Sequence, residues 1–191
     1  GVDLLSLSGH KIYGPKGIGA IYIRPQTPLK PLIFGGHQQA NVRPGTYNVS
    51  GIVGLSVAVN LLTDKDTIEA QNKTIQGLRD YLIDQITKNI SGVMVTGGLE
   101  NRVPNNASFI FDGVEGEDIV LRLSENGLAV STGSACASGS LDPSHVLLAI
   151  GLSPEQSRGS LRVSLSKYNN QAEIDIFLKV LATVIDQLRK S

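Results

Sequence analysis

Ser8-Gly9-His10-Lys11-Ile12-Tyr13-Gly14-Pro15-Lys16-Gly17-Ile18-Gly19 places a serine, a histidine and two lysines in one loop punctuated by glycine and proline. Apolar residues 2–8 precede it and predict a buried strand, while Ile18-Gly-Ala-Ile-Tyr-Ile-Arg24 predicts a second strand closed by Pro25. Ser8, His10 and Lys11 thus supply a hydroxyl, an imidazole and an amine within four residues of a strand end. A lysine attacks a carbonyl only when its amine is neutral, and its ordinary pKa is about 10.4, so burial or a neighbouring cation has to lower it. Gly9, Gly14 and Gly17 let the backbone approach a ligand, and a phosphate-bearing aldehyde would find donors beside the amine. Taken alone, Lys11 reads first as a solvated surface charge, the ordinary state of a surface lysine.

Outward from the loop, residues 25–50 carry four prolines and three glycines and predict a long irregular segment, the kind of loop that tends to serve function. Ser50 is the expected cap of a helix from Ile52 to Leu62, with Val53, Val57 and Leu61 on one face. A longer helix is expected from Asp66 to Ile90, its apolar stripe formed by Ile75, Leu78, Leu82 and Ile86 and its end by Ser91-Gly92. The texture then changes. Strands are expected at 93–95, 107–111, 128–131 and 160–165, with helices at 117–126, 143–150 and 172–189. A boundary near residue 91 divides a strand–loop–helix portion, 1–91, from an α+β module, 92–191. Two strands make a poor sheet alone, so the first portion is expected to need partners from elsewhere, and the chain to be incomplete.

Ser131-Thr-Gly-Ser-Ala-Cys136-Ala-Ser-Gly-Ser140 surrounds the only cysteine of these 191 residues with small side chains. Nothing large is available to pack there, so mobility is expected; the alternative is the common fate of a free cysteine, a small buried hydrophobe. Arg162 lies in the alternating strand Ser160-Leu-Arg-Val-Ser-Leu165. A guanidinium in such a strand is costly to bury unpaired, so either a structural acid or an anionic ligand is expected beside it.

Composition bounds the function classes. Hydrophobic residues make up 41% and mean hydropathy is +0.04, as in a globular chain. With 17 basic and 17 acidic side chains and no basic run, nothing draws the chain to nucleic acid or an anionic membrane. No apolar stretch is long enough to span a bilayer. One cysteine excludes an internal disulfide and suits a reducing, cytoplasmic setting, and with three histidines it leaves no metal site expected.

The loop around Lys11 resembles, nearly letter for letter, the pyridoxal-phosphate lysine loop of class V aminotransferase-fold enzymes, and of the group I (NifS/IscS-type) cysteine desulfurases among them. Arg43-Pro44-Gly45-Thr46 resembles that family's Arg-Ser-Gly-Thr, with Pro44 in place of serine. Residues 131–138 resemble its Ser-Ser-Gly-Ser-Ala-Cys-Thr-Ser loop, Leu141-Asp-Pro-Ser-His-Val-Leu147 its Leu-Glu-Pro-Ser-Tyr-Val-Leu, and Ser160–Leu165 its Ser-Ile-Arg-Phe-Ser-Leu. His37 and Lys16 acquire no role from the likeness.

The resemblance implies an α/β fold, the C-terminal part of a fold-type I transferase: part of the large cofactor domain followed by a small α+β domain. It implies that Lys11 carries pyridoxal 5'-phosphate as a Schiff base, that Ser8 and His10 bind its phosphate, and that Thr46 reaches the phosphate of a neighbouring subunit in a homodimer. Arg162 would hold the α-carboxylate of L-cysteine, and Cys136 would accept its sulfur as a persulfide and pass it to an acceptor such as an iron–sulfur scaffold, leaving L-alanine. Because the likeness covers only about half of the family's length, the fragment alone is expected to bind the cofactor weakly and to be inactive. The competing expectations are a selenocysteine lyase on the same fold and a non-catalytic dimerisation or interaction fragment of a split desulfurase.

Overall fold

The computed structural model describes residues 1–133 and 143–190. They form two compact units, Gly1–Ile68 and Glu69–Ser191.

In the first unit, β1 (Leu4–Ser8) pairs antiparallel with β2 (Gly19–Ile23), Leu5 opposite Tyr22 and Leu7 opposite Ala20. The strands fall where the apolar runs predict, but they are not buried: Leu4, Leu5, Leu7, Ile21 and Tyr22 are all exposed. A two-stranded ribbon has no third layer against which to bury either face. α1 (Val49–Leu61) begins earlier than expected, and its cap is Asn48, whose side chain accepts from the Gly51 amide at 3.1 Å; Ser50 lies inside the first turn. The apolar stripe of α1 also departs from expectation. Val53, Val57 and Leu61 are exposed, while Gly51 and Ala58 are buried, because the small residues are the ones that admit close neighbours.

The second unit takes in most of α2 (Lys65–Asn89), so the division between units falls in that helix's first turn, ahead of the change in sequence texture at residue 91. The reason is the buried face of α2: Ile75, Leu82, Ile83 and Ile86 belong to the second unit's core. That core is built on an antiparallel sheet in which β4 (Asn106–Phe111) lies between β3 (Val93–Val95) and β5 (Ser160–Ser164). Strand alternation separates the two faces. Ala107, Phe109 and Phe111 of β4, with Leu161 and Val163 of β5, meet α2, α3 (Gly116–Glu125) and α6 (Gln171–Leu188). α6 presents Ile174, Phe177, Leu181 and Ile185 as its spacing predicts, and Asn170 and Glu173 close a capping box at its start. On the opposite face, Asn106 and Ser108 of β4 lie beside Arg162 of β5, with Ser108 directly opposite Arg162.

α4 (His145–Ala149) and α5 (Pro154–Arg158) complete the unit. The strand expected at 128–131 reduces to one bridge, Ser131 with Arg162. α5 was not expected; its signal is local, a Ser153–Gln156 capping box with Pro154 at the first helical position.

Gly116 starts α3 against the end of the sheet. A Cβ there would run into the Ser160 carbonyl and lie 3.0 Å from that of Arg158, both backbone atoms. Gly116→Ala is therefore expected to destabilise the second unit by about 1–3 kcal/mol, the range for overpacking, as read by denaturant unfolding.

Candidate functional site

The lysine loop folds as a 3-10 turn, Gly9–Ile12, directly after β1. Its closure is backbone chemistry: the Gly9 amide donates to the Ile18 carbonyl and the Gly14 amide to the Gly9 carbonyl, each at 2.9 Å. Tyr13 ends the turn at φ 65, a left-handed conformation uncommon outside glycine and asparagine. α1 packs on this loop through small residues: a Cβ on Gly54 would enter the Pro15 ring, and Ala58 lies beside Gly14. Ser8, His10 and Lys11 come together on one short exposed segment. Among the described residues none of their side chains has a hydrogen-bond or ion-pair partner, and exposed polar groups need none but water.

Thr46 is exposed in the same unit, after a strained turn. Gln39, Ala40 and Asn41 take φ 49, 54 and 64, three successive left-handed residues. The turn is held by Gln39 N–H donating to Tyr47 Oη (3.2 Å), Gly45 N–H donating to Gln38 Oε1 (3.1 Å) and His37 Nδ1 paired with Asn41 Oδ1 (2.8 Å). His37 thus has a structural task. Gly45 adopts φ +103, as a turn glycine should.

Arg162 belongs to the second unit. It is half-buried on the polar sheet face and lines a cavity of about 410 Å³ shared by Thr96, Arg102, Asn106, Ser108, Ser144 and others. Its backbone is clamped to Ser131 by two hydrogen bonds of 2.6 and 3.2 Å, while its guanidinium has only a long, 3.5 Å contact to Ser131 Oγ. Of the two expectations, structural acid or ligand, the acid is absent among the described residues. Arg102, to which sequence reading gave no role, contributes a second cation to the same wall. Burial first, then the Arg79 charge, lowers its pKa, yet a guanidinium remains charged at any physiological pH. Its donors are taken by neutral oxygens: Gly98 O at 3.1 Å, Asn106 O and Oδ1 at 3.4 Å, and Thr96 O. Ser144 was also missed. It is 7% exposed and its hydroxyl has no partner among the described residues; the only sequence signal was a Pro-Ser pair ahead of a short helix. Cys136 lies outside the described residues.

These donors fit the cofactor that the loop resemblance implies. An amine, a hydroxyl and an imidazole stand unpaired on one turn of close-packed backbone, where Ser8 and His10 would hold a phosphate and Lys11 the aldehyde carbon.

Comparison with known proteins agrees in extent. A cysteine desulfurase IscS of Dictyoglomus turgidum is 49% identical over 189 residues, which cover 99% of this chain and 48% of that protein. A cysteine desulfurase of Gluconacetobacter diazotrophicus is 46% identical over 189 residues, covering 99% of this chain and 47% of that protein. Among solved structures, one described as a NifS-like protein superposes with a TM-score of 0.80 at 36% identity, over 97% of this chain and 47% of its own. A NifS-like protein from Rickettsia africae gives a TM-score of 0.85 at 29% identity, over 97% and 48%. The chain spans about half the length of the curated relatives it matches. Its α/β arrangement is that of part of a fold-type I transferase. The aminotransferase class-V family model matches residues 1–177, and the chain belongs to that family.

Proposed function

We propose that the full-length protein is a cysteine desulfurase, converting L-cysteine to L-alanine with the sulfur carried off as a persulfide. The observation that carries this reading is the 49% identity, over 99% of the chain, to a protein of that name. Pyridoxal 5'-phosphate, when bound, supplies an electron sink for bond breaking beside the substrate nitrogen. Ser8 and His10 would hold its phosphate, and Thr46 would reach the phosphate of the second subunit in a homodimer. Lys11 anchors the cofactor, then holds and returns the proton at the substrate Cα. Arg162 binds the α-carboxylate through its fork of N–H donors. Cys136, as thiolate, attacks the substrate sulfur: the substrate C–S bond breaks, an S–S bond forms on Cys136, and a proton replaces sulfur on the substrate carbon. The sum is L-cysteine plus thiol giving L-alanine plus persulfide, with no outside oxidant.

Residues 1–91 contribute to the cofactor-binding large domain and 92–191 form the small domain. The acceptor is a protein such as an iron–sulfur scaffold, in the cytoplasm. Because the chain covers half of its relatives' length, these 191 residues by themselves are inactive.

Supplying the full-length protein with cofactor and L-cysteine in the presence of a thiol reductant should yield L-alanine and sulfide in equal amounts. Amino transfer to a 2-oxo acid without alanine release would overturn the proposal. Arg162→Gln should raise KM for L-cysteine about 100-fold with a smaller change in kcat, since a charge-assisted double hydrogen bond to a ground-state carboxylate is lost.

A further inference from the structure

We propose that Gly54 is a positioning residue for Lys11: the absence of a side chain there lets α1 seat the lysine loop, and the seat sets how well Lys11 holds its cofactor. That the cofactor is pyridoxal 5'-phosphate on Lys11 rests on the desulfurase reading; that α1 fixes the loop through Gly54 does not.

Among residues 1–68, which make up the first unit, only Gly9, Gly51 and Ala58 are buried. Gly9 opens the turn that carries Lys11, and the other two lie on α1. Gly51, Gly54 and Ala58 stand three and four residues apart, on one stripe of the helix. The larger apolar residues Ile52, Val53, Val57 and Leu61 are exposed. The helix thus meets the loop at its small stripe, although a glycine inside a helix weakens it. What the glycine supplies is close approach.

A Cβ on Gly54 would enter the Pro15 ring and stand 2.9 Å from Pro15 Cδ. That carbon is bonded to the backbone nitrogen, so no rotamer change clears it; the loop or the helix has to move. Displacement of Pro15 is not absorbed locally. The preceding residue, Gly14, donates its amide to the Gly9 carbonyl at 2.9 Å, and Gly9 donates at 2.9 Å to Ile18, which leads into β2. Lys11 lies inside the first of these closures. Tyr13 already holds the left-handed conformation that bulky residues avoid, so the turn has little freedom to take up the shift. Ala58 bears on the same closure, its Cβ 3.4 Å from where a Gly14 Cβ would be. Movement at Pro15 therefore reaches Lys11.

The test uses the full-length protein, freed of cofactor and titrated with pyridoxal 5'-phosphate. Beside it, kcat and KM for L-cysteine and the thermal midpoint are followed. Gly54→Ala should weaken cofactor binding about tenfold and lower kcat about a hundredfold, the scale of a misplacement of about 1 Å, with KM changed less than about twofold. Pro15→Ala, added to Gly54→Ala, takes away the ring that the new methyl meets and should restore most of both losses. Ala58→Gly and Asn48→Ala form a second pair. Each lowers the midpoint by weakening α1, one at the loop and one at the cap, and only Ala58→Gly should loosen the cofactor. That pair decides the matter if Gly54→Ala does not fold. A lowered midpoint with unchanged cofactor affinity in Gly54→Ala is the signature of a merely structural glycine and overturns the proposal. So does a double variant no better than the single one, or an Asn48→Ala protein that loses cofactor as readily as Ala58→Gly. Weakened cofactor binding in Gly54→Ala with no alanine made by wild type sinks the desulfurase reading and leaves this inference standing. Alanine production by wild type with cofactor affinity indifferent to Gly54 does the reverse.

Discussion

Lys11→Ala in the full-length protein is expected to lower alanine release from L-cysteine by at least about a thousandfold. A positioned acid–base group contributes about 10²–10⁴ to a proton transfer, and on the proposed reading the same change also removes the cofactor's anchor. The structural part of the argument is that Lys11 stands beside Ser8 and His10 on a turn closed by backbone hydrogen bonds, with no side-chain partner that its loss would leave unpaired. The folded chain should therefore tolerate the change, and unfolding midpoints of variant and wild type should coincide. Lys11→Arg is the sharper control. It keeps the charge and the length, but a guanidinium cannot be made neutral near physiological pH, so it should be as inactive as alanine. Lys16, five residues on and also exposed, should give near-wild-type turnover as alanine. Borohydride reduction followed by peptide mass analysis would locate the cofactor on the Lys11 peptide in wild type and nowhere in the variants. Full turnover by Lys11→Ala would end the assignment.

The second unit was legible because its elements bury a stripe. Ile75, Leu82 and Ile86 stand seven and four residues apart, Ile174, Phe177, Leu181 and Ile185 three and four apart, and all enter one core. The first unit was legible in its strands and misleading in its burial. Alternation or periodicity says that a face is apolar and is silent about what meets it, so Leu5 and Tyr22 or Val53 and Val57 could not be told from core residues. The site divides along the same line. Ser8, His10 and Lys11 are contiguous in sequence, and their chemistry can be read from their order. The Arg162 cavity is assembled from β4 and β5, the 96–102 turn, Gly133, and α4 with the residues at its two ends. Arg102 joins the same wall only once β4 and β5 are paired, with Ser108 opposite Arg162.

Cys136→Ser should abolish desulfuration as completely as loss of Lys11, and for a different reason. Serine preserves size and polarity at the position, but an alkoxide is scarcely populated at neutral pH, and oxygen cannot carry the transferred sulfur as a persulfide. Alanine release should fall by at least about a thousandfold, the scale on which a covalent nucleophile is missed. Intact mass after a single exposure to L-cysteine should show wild type heavier by one sulfur atom and the serine variant unchanged. Because Cys136 is the only cysteine of these 191 residues, a digest assigns the added sulfur within this region without ambiguity. The two variants also separate in time. In the proposed reaction Lys11 acts at the substrate Cα before sulfur moves, so the Cys136→Ser protein should still exchange the Cα proton of L-cysteine with deuterated solvent, whereas Lys11→Ala should not. A serine variant that made alanine at the wild-type rate would show that the thiol lies outside the reaction and would return the chain to the aminotransferases of its family.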